Sequence, residues 1–398
     1  MNWRKSLFIA AALLATTTTQ TFAQDNLINA LKDNVSDKSK EGFVFTPIIN
    51  LGTTSIKDQG SSGTCWSYSG NSFLESEMIR MGKQPVEISQ IFTAYYTYLE
   101  KAKTYVQLHG GQSQGQGGQL HDVLTIFRKY GAVPREAYTG LINGKTRNDF
   151  SQMSKTIEKM NADLVKNRKI DPNWQQALLN TMNEHLGVPP QSFQYNGKTY
   201  TPRTWADEVV GINPDDYVAI SSFKAHPYYK PFILLIPDNW SYESFYNVRM
   251  DDMIDIIDNA LKKGFTVAWA ADVSEKYFSW KNGVAFVPEN EKEIDSMTAE
   301  QRATLFNGPK PEAKITEEIR QAAYDDYSTT DDHGMHIVGL AKDQNGKEYY
   351  IVKNSWGESN DYKGYIYVTK EYVKYKTISL LLHKKALPKN IKSKLRIK

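Results

Sequence analysis

The chain has 398 residues, 40% of them hydrophobic and 12% aromatic, with 48 Lys and Arg against 45 Asp and Glu. A formal net charge of +3 leaves no field large enough to recruit nucleic acid or a membrane surface, and the apolar content suffices for one large or two smaller buried cores. The single cysteine, Cys65, excludes a disulfide within the chain, so stability must come from packing.

At the N-terminus Arg4 and Lys5 precede an apolar run from Leu7 to Ala15 and a small-residue stretch ending Thr21-Phe22-Ala23. This is the pattern of a secretory leader, residues 1–23, and it predicts export to the periplasm or the exterior. Its apolar core is shorter than a membrane span, and no later segment supplies about 20 apolar residues. Removal after Ala23 leaves 46 basic against 45 acidic side chains in a chain that reads as soluble.

An extension over 24–44 leads to the stretch Gln59-Gly60-Ser61-Ser62-Gly63-Thr64-Cys65-Trp66. After Cys65, the residues Trp66, Phe73, Leu74 and Met78 recur at helical spacing and Gly82 follows, so Cys65 opens a helix. A helix N-terminus favours negative charge and predicts a lowered thiol pKa, while the small residues ahead of Cys65 leave room for a substrate. The ordinary alternative for a lone cysteine is a small buried hydrophobe.

Residues 109–119, HGGQSQGQGGQ, read as a mobile loop. Within it Gly111-Gln112-Ser113-Gln114-Gly115 fits the spacing of a serine-hydrolase elbow, but that device needs a strand before it and a helix after it, and neither pattern is present. Met153, Ile157, Met160 and Leu164 form an apolar helical stripe. Asp171-Pro172 reads as a cap and first-turn proline ahead of Trp174, Leu178 and Met182, with Gly187 and Pro189-Pro190 as the stop. Met253, Ile256, Ile257, Ala260 and Leu261 predict another helix, closed by Gly264, and FTVAWAADV after it reads as a buried strand.

In DDHGMHIVGLAKDQNGKEYYIVKNSWGE, two strand-like runs flank the turn Asp343-Gln344-Asn345-Gly346. His333 opens the first run and Asn354 closes the second, so an antiparallel hairpin brings an amide toward an imidazole. His333 and His336, beside Asp331 and Asp332, are poorly placed for a shared metal ion, because residues three apart on a strand face opposite sides. Beyond Glu371 there is no acidic residue while Lys374, Lys376, Lys384, Lys385, Lys389, Lys392, Lys394, Arg396 and Lys398 accumulate. Without base-stacking aromatics past Tyr375, this reads as a solvated face rather than a nucleic-acid tail.

Three motifs together resemble the papain-like cysteine peptidases, in that family's order: Gln59 to Trp66, His333-Gly334-Met335 with Gly339, and Asn354-Ser355-Trp356-Gly357. The branch resembled is that of bleomycin hydrolase and aminopeptidase C. Ser62 stands where papain proper has a disulfide cysteine, and GGQLHDVLTIFRKYGAVPREAY, GINPDDYVAI and NVRMDDMIDIIDNALKKGFTVAWAADV are similar to segments of this branch.

The resemblance implies an α+β, papain-like two-lobed fold, with a helical lobe, an antiparallel β lobe and a large helical insertion, over residues 45–398. Cys65 and His333 are 268 positions apart, against about 130 to 150 in papain-like enzymes, which places the insert at about 140–250. That insert resembles the hook domain with which the branch builds a ring-shaped homo-oligomer; a plain surface subdomain is the other reading.

The resemblance selects His333 over His336 and implies a thiolate mechanism for cleaving peptides. Cys65 is the nucleophile, His333 its proton carrier and Asn354 the holder of the ring, with the Gln59 amide and the Cys65 N–H as oxyanion donors. It gives Gly117 and Gly118 to the substrate cleft and calls for no cofactor and no metal. Peptides are the expected partners, with neither nucleic acid nor membrane. Aminopeptidase action is the branch's habit, with the chain's own C-terminus lying in the cleft. The short basic ending here fits an α-ammonium poorly, which leaves endopeptidase action and an inactive peptide-binding relative as alternatives.

Overall fold

The structure, a computed structural model, describes residues 42–168 and 170–397. The expected leader over 1–23, and the extension over 24–44 as far as residue 41, lie outside them.

Helix α1 (Cys65–Arg80) starts at the cysteine, as its periodicity predicts, and is buried on all sides as far as Met78. Such a helix lies at the centre of a molecule, between layers. Gly82, at φ +74°, takes the left-handed conformation that turns the chain away after it. Against α1 pack α2 (Gln90–Gln107) and α3 (Asp122–Tyr130), and on α2 in turn pack α4 (Ser151–Asn167) and α5 (Trp174–Leu186). The Ser89 hydroxyl caps α2 by accepting from the Phe92 N–H. The expected cap at Asp171-Pro172 is displaced: the Asp171 carboxylate accepts from the Asn173 N–H in a turn, and α5 begins only at Trp174.

Among the described residues there are thirteen strands, in chain order β1 (Phe45–Asn50), β2 (Phe193–Tyr195), β3 (Lys198–Tyr200), β4 (Tyr217–Ser221), β5 (Pro231–Ile233), β6 (Ser244–Asn247), β7 (Val267–Ala271), β8 (Phe278–Ser279), β9 (Val284–Ala285), β10 (His333–Asp343), β11 (Glu348–Lys353), β12 (Tyr365–Thr369) and β13 (Thr377–His383). β2 and β3 form a separate hairpin; the other eleven make one sheet in the order β5-β6-β4-β13-β7-β10-β11-β12-β9-β8, with β1 also paired to β10. Most pairs are antiparallel, but β4 pairs with β6 and β9 with β12 in parallel, so the sheet is mixed.

The helical insert expected at about 140–250 is helical mainly over α4 and α5; farther on, the same stretch supplies β4, β5 and β6 to the main sheet. Short strands that pair only with residues far along the chain leave little local pattern. Helix α6 (Met250–Lys262) follows the expected stripe and ends before Gly264, at φ +79°.

Beside a small cluster of Val338, Ala341 and Ile351, two large apolar cores result among the described residues, one between α6 and the sheet and one among the helices from α1 to α5. They meet where α1 packs on β7 and β10. The basic C-terminal stretch is less solvated than its composition predicts: Lys376 is buried, pairs with Glu275 and donates to the Ser328 carbonyl. Ile391 and Leu395 enter the sheet core. No helix among the described residues is long and apolar enough to cross a membrane.

Candidate active site

The seam between α1 and β10 brings the distant motifs together. A Cβ added at Gly334 would stand 2.8 Å from Ser69 Oγ and 3.1 Å from Trp66 Cα, so only glycine lets β10 lie this close to the first turn of α1. As a result the Gly334 backbone N–H reaches the Cys65 sulfur, and His333, its neighbour in the chain, opens β10.

The β10–β11 hairpin turns at Gly346, at φ +84°, with the Asp343 carboxylate accepting from the Asn345 and Lys347 N–H groups. Its strands pair as far as His336 opposite Lys353, and Asn354 follows directly. His333 Nε2 donates to Asn354 Oδ1 at 2.7 Å, and the Trp356 ring, 4.5 Å away centre to centre, covers the imidazole. His333 and Asn354 are both 3% exposed. With Nε2 committed to the amide, Nδ1 is the nitrogen left for proton exchange.

Gln59 is fully buried and stitched to the asparagine motif. Its backbone N–H donates to the Ser355 carbonyl, and its Oε1 accepts from Ser355 Oγ at 2.6 Å. Nε2 donates to the Ser62 carbonyl at 2.8 Å. An amide nitrogen carries two hydrogens, so a second N–H remains for an oxyanion.

Opposite, the Trp66 indole donates to the Gln116 carbonyl, and the Gly63 N–H donates to the Gln116 side chain. These bonds set Gly118 against the Trp66 ring, next in the chain to Cys65. A Cβ on Gly118 would stand 2.9 Å from the Trp66 ring, and one on Gly117 would overlap the Asp238 carboxylate. The loop expected to be mobile is in fact pinned: buried Lys101 donates to the Gly115 and Gly117 carbonyls at 2.6 Å each. Ser113 has no strand ahead of it and no helix directly after it.

Sequence reasoning missed Lys101, Asp238 and Asp331. Lys101 carried a faint signal, a charged residue on the apolar face of α2. The Asp331 carboxylate accepts from Gln119 at 2.6 Å, while Asp238 has no hydrogen-bond partner among the described residues. Burial raises both carboxyls, and the charge on Asp238 raises Asp331 further.

The expected depression of the thiol pKa is overturned. Burial pushes Cys65 up to about 12; the Gly334 N–H works against this, and the carboxylates of Asp238 and Asp331 add to it. Burial likewise draws His333 down to about 4, against the hydrogen bond it donates to Asn354. In the buried seam desolvation outweighs the pull of the helix terminus on the thiol.

A family profile described as the Peptidase C1-like family matches residues 9–109 and 105–398. The chain belongs to the Peptidase C1-like family. It is therefore a cysteine-type peptidase, of the bleomycin hydrolase and aminopeptidase C branch. Among the relatives of this family it is similar to aminopeptidase C of Streptococcus thermophilus, 22% identical over 90% of this chain and 86% of that one. Aminopeptidase C of Lactobacillus delbrueckii subsp. lactis is 23% identical over 93% and 88%. The crystal structure of PepW from Lactobacillus rhamnosis HN001 covers 97% of this chain and 96% of its own, with a TM-score of 0.69 at 20% identity, and so shares the papain-like fold.

Proposed function

We propose that Cys65, His333, Asn354 and Gln59 hydrolyse peptide bonds by a thiol mechanism. The observation that carries the reading is the seam itself: a cysteine at a helix N-terminus, beside a glycine whose neighbouring histidine is held by an asparagine 2.7 Å away. His333 takes the Cys65 proton as the sulfur attacks the carbonyl carbon. The oxyanion is met by the second Gln59 N–H and the backbone at the start of α1, where helix N–H groups point outward. His333 then protonates the leaving amine, and water cleaves the thioester. Alkylation of Cys65 should abolish peptide hydrolysis, and Cys65→Ala should lower it on the order of 10⁴-fold or more. Undiminished hydrolysis by the Ala variant refutes the mechanism; failure of Cys65 to react with the alkylator favours a non-catalytic peptide binder.

Aminopeptidase action is the finer part of this reading. The names of the relatives support it, and so does the Asp238 carboxylate lying against Gly117 beside the nucleophile. A carboxylate there offers a substrate's α-ammonium a partner and obstructs a chain extending past it. The chain's own C-terminal segment is engaged elsewhere, with Lys384 donating to the Asp215 carbonyl and Lys394 reaching Tyr229 and Asp252. Comparing a free-amine fluorogenic substrate with its N-acetylated twin tests this; equal turnover of both makes the enzyme an endopeptidase.

A further inference from the structure

His336 has no part in the chemistry above. It is fully buried on the other face of β10 from His333, edge-on to Phe73, with Nδ1 3.1 Å from Ser72 Oγ. Its Nε2 meets no partner among the described residues. Asn354 is in the same position: Oδ1 serves both His333 Nε2 and the Ser355 N–H, while the buried Nδ2 meets no partner. Both side chains line one cavity behind the site, together with Ser69, Gly334, Lys353 and Ser355. It offers about 10 Å³ to the centre of a water molecule, room for one.

Donors and acceptors match across it. Burial, and then the Lys353 ammonium, hold His336 well below the usual histidine range, so its ring is neutral and carries one donor and one acceptor. We assign the ring the tautomer in which Nδ1–H is directed to Ser72 Oγ, which makes Nε2 the acceptor. Asn354 Nδ2 is a donor, and two groups of opposite sense on one small polar cavity define a water site.

We propose that a single buried water accepts from Asn354 Nδ2 and donates to His336 Nε2, making His336 a positioning residue for the amide that holds His333. The water's second hydrogen faces the hydroxyl oxygens of Ser69 and Ser355. The catalytic meaning of this bridge rests on the thiol mechanism proposed above; the bridge itself does not.

A crystal structure of the wild-type protein tests it without any variant. A water within about 3.2 Å of both nitrogens is expected, and a dry cavity, or a water touching only one of them, overturns the proposal. In kinetics, His336→Met removes both ring nitrogens at similar bulk and should lower kcat roughly tenfold with KM unchanged. His336→Gln, which keeps an acceptor near the position of Nε2, should recover most of the loss. An unchanged kcat in the Met variant, or equal losses in both variants, reduces His336 to packing and also overturns the proposal. Hydrolysis surviving Cys65→Ala would instead break the thiol mechanism and leave the crystallographic result standing.

Discussion

The two flanks of Cys65 differ in how their polar groups are met. On the hairpin side, Gln59, Ser355, Asn354 and His333 form an unbroken chain of hydrogen bonds, each bond between 2.6 and 2.9 Å. On the loop side, Asp238 and Asp331 stand close together under raised pKa values, and Lys101 is the cation whose charge Asp238 feels. A continuous network fixes geometry for a reaction, whereas an under-neutralised pair of carboxylates favours a cation from outside. On the function proposed above, one flank would serve chemistry and the other selection, and substitutions on the two should fail in different ways.

The largest contrast is expected at Gln59. Gln59→Glu keeps the side-chain shape and an acceptor for Ser355 Oγ but removes both amide hydrogens and places charge where the oxyanion forms. It should lower kcat on the order of 10²- to 10³-fold, as the loss of one oxyanion donor does. Single-turnover kinetics with a fluorogenic peptide would show it, and a kcat within threefold of wild type would remove Gln59 from the chemistry. On the other flank, Asp238→Asn should leave the acyl-transfer machinery in place and cut the preference for a free amine over its N-acetylated twin about ten- to hundredfold, the range of a charged hydrogen bond. It also removes a negative charge that raises the Cys65 thiol, so alkylation at neutral pH should become faster. A variant that keeps its amine preference would show that Asp238 selects nothing.

The same contrast decides what was legible in the sequence. The chemistry flank is written in short motifs: Gln59 to Trp66 is contiguous, Asn354 and Ser355 are adjacent, and the hairpin is announced by its Asp-Gln-Asn-Gly turn. Helices α1 and α6 showed through apolar spacing and a closing glycine. The selecting flank is assembled from α2, the 234–240 segment and the residues ahead of β10, which meet only in three dimensions. No local pattern marks a lysine that serves loop carbonyls or an aspartate lodged on a glycine. For the same reason β4 to β6 were hidden in a stretch that read as helical, since three to five residues carry little periodicity. The thiol pKa went astray for a related cause: a helix N-terminus is visible in sequence, but the depth at which it is buried is not.

The smallest effect sharpens the comparison through stability rather than catalysis. Asp122, 1% exposed, lies beneath the selecting flank, where one oxygen accepts from the Gln119 N–H and the Trp240 indole and the other, 3.7 Å from His121 Nε2, has no hydrogen-bond partner among the described residues. Burial raises its carboxyl from 3.8 to about 7. A folded-state pKa above the unfolded value means stability that is full below the unfolded pKa and is lost as pH rises through the folded one. The wild type should therefore lose about 2 to 3 kcal/mol from this group between pH 5 and pH 8. Asp122→Asn keeps a carbonyl oxygen for both N–H donors and cannot ionise, so its urea midpoint should fall less over that interval. The buried histidines remote from Asp122 cancel in the difference, and His121, 3.7 Å from its carboxylate, is drawn down to about 3 by burial and stays neutral in the fold over that interval. Parallel pH profiles for the two would mean that Asp122 is already ionised in the fold, and that the selecting flank carries one more negative charge for a substrate's cation to answer.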